Sequence, residues 1–370
     1  MKLKKALYGC IQSAKLWYDK LRSVLESDGF AVNPIDPCVF NKGRGADQVT
    51  VVVYVDDLMV TSKVRAHLDS VIATLEGAFK SVTVKQGHVH SYLGMEFNFG
   101  SPGRVSVKMS GYTKDVIAFA NVSTNSRTPA GESLFVIDES APLLSKGDAE
   151  HFHSLVAKLL YLAKRTRPDI LCSVSFMSTR VKSPTTQDMK RLLRIVKYLH
   201  ECPDLGIVLQ VGDEIRVIAY IDASYGVHQD ARSHSGVTIT LGRGPIFAKS
   251  ARQKIVTKSS HEAELVAASD GGSQVLWTRS FLVHQGYDPK PAVITQDNMA
   301  TISSLNKGWT GSEKSRHVNI RYYWIKDRID HGELEIAYAC TDDMTADILT
   351  KPLQGDKFLQ MRDKLLNWIV

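Results

Sequence analysis

The chain has 370 residues, 44% of them hydrophobic and 23% charged, which argues against a disordered polypeptide and predicts two or three globular domains. The net charge of +7 and the isoelectric point of about 9.0 favour a polyanionic partner. The five cysteines are far apart and form no CxxC pair, which argues against a zinc ribbon or a disulfide scaffold and is typical of a reducing compartment.

The N-terminal third begins with a predicted helix over residues 2–29, where apolar side chains recur at steps of three and four. The segment VVVYVDDLMV, residues 51–60, predicts a β-hairpin with Asp56 and Asp57 at its tip. From these residues alone the pair is either a polar hairpin tip or a divalent-metal site, because hard cations bind carboxylate oxygens. The elements predicted next are a helix over 64–79, strands over 92–99 and 104–109, and a helix over 112–120.

The middle of the chain is predicted to be a linker followed by helices. Residues 121–148 are rich in Ser, Thr, Pro, Gly and acidic side chains, which is typical of a linker. Helices are predicted over 152–165 and 185–200. The second helix contains KRLLRIVKYLH, whose basic face indicates either a solvated surface or a nucleic-acid contact.

From Leu205 onward the pattern predicts an α/β region with a mixed sheet. The predicted strands are 206–211, 215–221, 235–241, 292–295 and 334–338, with shorter pieces at 246–247 and 254–257. The predicted helices are 260–285, 298–305, 320–331, 345–353 and 357–366.

Four acidic residues stand at strand ends or helix starts of this region. Asp222 ends the strand VIAYID, and Asp297 follows the strand AVITQ. Glu262 opens the helix at SSHEAEL, and Asp347 lies in the first turn of TADILTKPL. Each could serve local structure alone, since SSHE fits a capping box and the aspartates could cap turns or face a helix dipole. Together they predict a carboxylate cluster that holds two Mg²⁺ ions for phosphodiester cleavage.

The order of these motifs resembles the C-terminal part of the Pol polyprotein of copia-type LTR retrotransposons, over essentially the whole chain. YVDDLMVTS is similar to the metal-binding hairpin of the polymerase, SYLGMEF to the segment that enters its thumb, and SLVAKLLYLAKRTRPDILCSVSFMSTRVKSPT to the connecting segment. The segments similar to successive ribonuclease H motifs are YIDASYG, RSHSGVTITLG, KSARQKIVTKSSHEAELVAASD, DNMATI, RHVNIRYYWIKD and MTADILTKPL.

The resemblance implies a multidomain α/β and α+β fold in three parts. Residues 1–122 would be a partial reverse transcriptase palm and thumb, residues 123–204 a linker and helical connection, and residues 205–370 a ribonuclease H-like mixed-sheet domain. It also implies that Asp56 and Asp57 are the paired polymerase aspartates, of which Asp56 is the direct metal ligand.

In the ribonuclease H part, the resemblance implies that the four carboxylates are catalytic and bind Mg²⁺ or Mn²⁺, and that the substrate is the RNA strand of an RNA–DNA hybrid. The implied ligands are Asp222, Glu262, Asp297 and Asp347. Residues in family motifs for which we expect substrate contacts are Arg232, Ser235 and His317, and Ser233 belongs to the same family loop as Arg232 and Ser235 without an assigned role.

The polymerase of this family uses a further aspartate upstream of the hairpin, and Met1 stands after that point. We therefore expect ribonuclease H activity, no polymerase activity from this chain alone, and self-association through the sheet edge left open beside the hairpin. The alternative, from a different class, is a non-catalytic retrotransposon remnant that binds nucleic acid.

No apolar segment is long enough to span a membrane, and the resemblance implies an intracellular location in cytoplasmic virus-like particles.

Overall fold

The computed structural model describes residues 9–307 and 316–368. The chain divides into two compact units, Met1–Tyr92 with Trp277–Asp288, and Leu93–Leu276 with Pro289–Val370. The expected boundaries after residues 122 and 204 both fall inside the second unit, and that division into functional domains stays a prediction. None of the described helices is both long and apolar enough to cross a membrane.

Among the described residues, the first unit contains two complete helices, the C-terminal end of a third, and a four-stranded antiparallel sheet. The helices are α1 (Ile11–Ser27) and α2 (Arg65–Ala78), as predicted, although the expected start of α1 falls on residues outside the described part. The strands are β1 (Ala31–Val32), β2 (Val39–Lys42), β3 (Val49–Tyr54) and β4 (Asp57–Ser62), paired in that order, and β5 (Val89–Tyr92) follows later in the chain.

The predicted aspartate hairpin is confirmed. Along β3 the burial alternates, with Val51 and Val53 in the core, because successive strand residues point to opposite faces. The turn between β3 and β4 has two residues, Val55 and Asp56, and Val55 takes the left-handed φ of 55° that such tight turns require. In this sheet β4 has β3 as its one neighbour, so β4 is an edge strand.

In the second unit, four strands pair antiparallel. They are β6 (Met95–Asn98), β7 (Arg104–Lys108), β8 (Ile207–Val211) and β11 (Gly242–Arg243), in the order β11-β8-β7-β6. The expectation that residues 206–211 join the ribonuclease H-like sheet is wrong, because β8 pairs with β7. Gly206 permits this approach: a Cβ there would lie 2.3 Å from the carbonyl oxygen of Val107.

Five helices of the second unit share one hydrophobic core. They are α3 (Ser110–Phe119), α4 (Lys146–Ala163), α5 (Leu171–Ser178), α6 (Thr186–Glu201) and α10 (Gly355–Leu366). Helix α5 is not predicted from the sequence, because its apolar residues and its three serines show no helical period. The core also includes Ile348 and Leu349, which follow Asp347 directly.

The segment 121–148 is packed, so its interpretation as a linker is wrong. Leu134 and Phe135 are buried in the helical core. The basic face of α6 binds the segment: Arg191 donates to the carbonyl oxygen of Ser133 at 2.8 Å, and Arg194 donates to the Thr128 hydroxyl at 2.9 Å. These two cations are therefore used inside the fold, which favours a structural role for this part of the basic face.

The second sheet of this unit carries the predicted cluster. Its strands are β9 (Ile218–Ser224), β10 (His234–Thr240), β12 (Phe247–Arg252), β13 (Ala292–Gln296) and β14 (Leu334–Tyr338), in the order β12-β10-β9-β13-β14. The first three strands are antiparallel, and β9, β13 and β14 are parallel, so the predicted mixed sheet is confirmed. The remaining helices are α7 (Ser260–His284), α8 (Met299–Lys307) and α9 (Arg316–Asp330).

Two local expectations in this region are wrong. The structure has no strand at residues 254–257, because the pairing with β10 is completed by β12, which ends at Arg252. The expected helix over 345–353 is a single 3₁₀ turn, Asp347–Leu349. Pro352 lacks a backbone N–H, which prevents the turn from continuing as an α-helix.

Candidate active site

Three aspartates meet beside the C-terminal ends of β9 and β13 in the second sheet. Tyr220 on β9 is the neighbour of Thr295 on β13 in the parallel ladder, and Asp222 and Asp297 each stand two residues further along. Because side chains two residues apart share a face, the register brings both carboxylates to the same face of the sheet, at the C-terminal ends of the two strands. Asp347 joins them from the 3₁₀ turn, and the three side chains offer oxygens that all lie within 4.8 Å of one another.

A glycine lets the turn that carries Asp347 approach the sheet. Gly236 on β10 pairs with Asp222, and a Cβ on Gly236 would lie 2.7 Å from Thr350 Cγ2 and 2.9 Å from the Ala346 carbonyl oxygen. The turn therefore packs directly against the strand beside Asp222. The hydroxyl of Thr350 donates a hydrogen bond to Asp222 Oδ2, which fixes the carboxylate of Asp222.

The cluster is largely removed from water. Asp222 and Asp347 are 2% and 1% exposed, and Asp297 is partly exposed, with a hydrogen bond from the Thr341 hydroxyl at 3.4 Å. Burial, and then the charge of Asp222, raises the pKa of Asp347 above its ordinary value. Both effects show that the arrangement disfavours negative charge unless a cation is nearby.

Of the two glutamates at the start of α7, Glu264 lies near the aspartates, whereas Glu262 makes local contacts. Glu262 Oε2 accepts the backbone N–H of Lys258 at 2.8 Å, and its own N–H donates to Ser259 Oγ at 3.2 Å. These are capping contacts, so the capping alternative describes Glu262. Glu264 is 5% exposed and lies near Asp222 and Asp297, and burial together with the charge of Asp222 raises its pKa to about 9.

A sequence signal for Glu264 was available. In SSHEAELVAASD the first glutamate stands among polar residues, whereas Glu264 precedes the apolar run from Leu265 to Ala268, all of which is buried. An acidic residue on the buried face of a helix has to be paired or functional, because burial of an uncompensated charge is costly. The sequence interpretation chose the glutamate nearer the helix start and missed this one.

Lys351 is a second residue that the sequence interpretation missed. Its Nζ lies 2.8 Å from Asp347 Oδ1 and 3.4 Å from Asp222 Oδ1. Burial lowers the pKa of Lys351, but the charges of Asp222 and Asp347 outweigh burial and hold the pKa above its ordinary value. Its position four residues after Asp347 was the available signal, because the two side chains share one side of the turn.

Arg232, Ser233 and Ser235 make their polar contacts with residues outside the aspartate cluster. Ser233 accepts the N–H of Gly226 at 3.1 Å, Ser235 accepts from Gln253 at 2.9 Å, and both serines are buried. Arg232 forms an ion pair with Asp230 at 3.4 Å. His317 belongs to α9, but its side chain lies outside the described residues. Substrate contact by these residues stays a prediction.

The hairpin aspartates lie at an exposed tip. Asp56 and Asp57 are both exposed, as are Tyr54 and Val55 beside them. Across the part of the chain that the structure describes, the one group of three acidic or metal-ligating side chains close enough to share an ion is the aspartate triad of the second unit. Both interpretations of the hairpin, a polar tip and a metal site, therefore stay predictions.

Comparisons with known proteins place the chain in a family. A family model described as reverse transcriptase (RNA-dependent DNA polymerase) matches residues 1–130. The Retrovirus-related Pol polyprotein from transposon RE1 of Arabidopsis thaliana is 33% identical over 370 aligned residues, which cover 98% of this chain and 25% of that protein. The chain belongs to the retrotransposon Pol family. The Pol polyprotein from transposon TNT 1-94 of Nicotiana tabacum is 29% identical, over 96% of this chain and 27% of that protein.

A solved structure supports the expected fold class of this Pol chain. The foamy viral protease-reverse transcriptase in complex with an RNA/DNA hybrid matches with a TM-score of 0.52 at 13% identity, covering 90% of this chain and 39% of that one. At this identity the likeness concerns the fold, which confirms the mixed multidomain architecture. The Pol chain spans about a quarter of the length of the curated relatives named above.

Proposed function

We propose that this Pol chain hydrolyses the RNA strand of RNA–DNA hybrids at the cluster of Asp222, Glu264, Asp297 and Asp347, with Mg²⁺ or Mn²⁺ as the cation. The observation that carries the proposal is that the three aspartates offer oxygens within 4.8 Å of one another beside the C-terminal ends of parallel strands in a mixed sheet. Membership of the Pol family supports the nucleic-acid substrate, and the foamy viral structure named above contains an RNA/DNA hybrid.

The donor set fits a hard divalent cation. All four side chains offer carboxylate oxygens, which are the ligands that Mg²⁺ and Mn²⁺ prefer. Glu264 Oε2 is buried and has no hydrogen-bond partner among the described residues, so this oxygen is available to a cation. Bound cations would supply an activated water and neutralise the charge that develops on the phosphate.

The protein itself holds the carboxylates of the cluster in fixed positions. Asp222 lies on the central strand β9, its carboxylate fixed by the Thr350 hydroxyl. Asp297 is the most exposed of the three aspartates, so a substrate reaches Asp297 first. A cluster that is rigid before substrate binds avoids reorganisation during the reaction, which is the main source of electrostatic catalysis.

The rival proposal is a remnant that binds nucleic acid without catalysis. The free-energy cost of bringing the carboxylates together disfavours it. Four neighbouring carboxylates repel one another, and burial adds to that penalty. Two of the aspartates and Glu264 are nevertheless buried together. A protein that only binds nucleic acid has no physical need for this arrangement, whereas a metal-dependent nuclease requires it.

For the hairpin, we propose that Asp56 and Asp57 serve polymerisation only when a further carboxylate joins them. Both belong to the region that matches the reverse transcriptase family model. Two adjacent exposed carboxylates hold Mg²⁺ weakly, because few protein ligands then replace the water around the ion. Self-association through the edge strand β4, and a location in intracellular virus-like particles, also remain proposals.

The test is cleavage of an end-labelled RNA strand annealed to DNA by the purified full chain in Mg²⁺. We expect cleavage of the hybrid and none of single-stranded RNA. Asp222→Asn should lower the rate at least about 100-fold, because loss of one ligand weakens the hold on the cation. Asp213→Asn, which changes an exposed aspartate, is the matched control. Equal cleavage by wild type and Asp222→Asn would show that the activity arises elsewhere.

A further inference from the structure

Lys351 is bonded to the same carboxylates that are proposed to hold the cation. Its ammonium lies 2.8 Å from Asp347 Oδ1 and 3.4 Å from Asp222 Oδ1. Among the described residues these are the ion pairs that the two aspartates make. One positive side chain thus bridges two of the three members of the triad.

The backbone holds Lys351 at this place. Its N–H donates to the carbonyl oxygen of Asp347 at 2.9 Å, which ties it to the turn that carries the aspartate. Pro352 follows, and its ring restricts the backbone of Lys351. The fold therefore fixes the backbone from which the side chain of Lys351 reaches the two aspartates.

The side chain can nevertheless leave. The side chain of Lys351 is 38% exposed, whereas those of Asp222 and Asp347 are 3% and 2% exposed. The lysine reaches the buried carboxylates from the solvent side, so a rotamer change withdraws the ammonium without opening the core. A divalent cation at the same oxygens repels the ammonium and favours that withdrawal.

We propose that Lys351 is an internal counterion that occupies the cation site of the metal-free protein and is displaced when the divalent cation binds. The lysine then stabilises the empty cluster and lowers its affinity for metal. This inference rests on the proposed function, because it takes the same carboxylates as the metal ligands. It adds a residue that sets the metal concentration at which the cluster fills.

The experiment compares Mn²⁺ binding to the full chain and to Lys351→Met, which keeps an unbranched side chain one atom shorter and removes the charge. Free Mn²⁺ is measured by electron paramagnetic resonance. Thermal unfolding is followed without metal and with saturating Mn²⁺. Lys357→Met on α10, an exposed position, is the matched control, and Lys351→Arg tests whether charge alone is sufficient.

We expect Lys351→Met to bind Mn²⁺ about tenfold more tightly, since a competitor with one positive charge has been removed. It should unfold at a lower temperature than wild type without metal, and this difference should disappear in saturating Mn²⁺. Lys351→Arg and Lys357→Met should bind Mn²⁺ like wild type. A lysine with only a structural role predicts the opposite pattern, with lower stability in both states and no gain in affinity.

Two negative results are distinguishable. Equal or weaker Mn²⁺ binding by Lys351→Met, with hybrid cleavage intact in wild type, overturns the role of Lys351 and leaves the proposed function standing. Absence of Mn²⁺ binding by both proteins, together with absence of cleavage, overturns the proposed function and this inference with it.

Discussion

Glu264 and Glu262 are two residues apart, and exchanging each for glutamine separates a metal ligand from a helix cap. Glu264 is buried beside Asp222, with one carboxylate oxygen free for a cation, whereas the Glu262 carboxylate accepts the N–H of Lys258. Loss of a ligand should raise the barrier by about 3–4 kcal/mol, which lowers the rate of hybrid cleavage about 100- to 1,000-fold in Glu264→Gln.

For stability we expect the reverse order: Glu262→Gln should destabilise the protein, and Glu264→Gln should not. In the absence of metal, Glu264→Gln removes a buried carboxylate near Asp222 and should leave the free energy of unfolding unchanged or slightly higher. Glu262→Gln loses the charge at the start of α7 and should cost about 0.5 kcal/mol, with cleavage within about twofold of wild type.

The assay is cleavage of a labelled hybrid together with urea unfolding and Mn²⁺ titration of both variants. Loss of cleavage in Glu262→Gln with activity retained in Glu264→Gln would refute the assignment of Glu264. Loss in both variants with Mn²⁺ binding retained would show that neither side chain acts through the metal.

Three further outcomes are expected. Burial lowers the pKa of His228 to about 4 and of His234 to about 3, so both imidazoles stay neutral in the folded protein. Since the unfolded state takes up protons near pH 6.5, stability is fully present above that pH and is lost as pH falls towards 4, by about 2 kcal/mol per imidazole between pH 7 and 5. Urea unfolding of His234→Gln should lose less stability over this pH range than wild type or the control His88→Gln, which changes an exposed histidine; an equal loss in all three contradicts the assignment. Gly236→Ala should lower stability by about 1–3 kcal/mol and weaken Mn²⁺ binding, because its Cβ would displace the turn of Asp347, whereas Gly111→Ala has free space and should do neither. Primer extension on an RNA template by the purified chain should give no templated product, and incorporation that Asp56→Asn abolishes would contradict the proposal for the hairpin.

Much of the architecture could be predicted from local pattern. The hairpin of β3 and β4, the helices α2 and α6, and the strands β13 and β14 follow from the spacing or the runs of their apolar residues. The order of motifs also identified the family and the three aspartates that the structure brings together, Asp222, Asp297 and Asp347. These features are recorded in the sequence because each depends on residues near one another in the chain.

The tertiary structure decided the features that depend on which distant surfaces meet. It paired β8 with β7, packed Leu134 and Phe135 of the segment 121–148 into the helical core, placed Glu264 and not Glu262 near the aspartates, and placed Lys351 beside two aspartates. An apolar period specifies which face of an element is buried but not its partner, because the hydrophobic effect has no direction. Two glutamates on one helix turn therefore look alike in sequence, and only the packing of α7 against the sheet decides which carboxylate lies near aspartates far away in the chain.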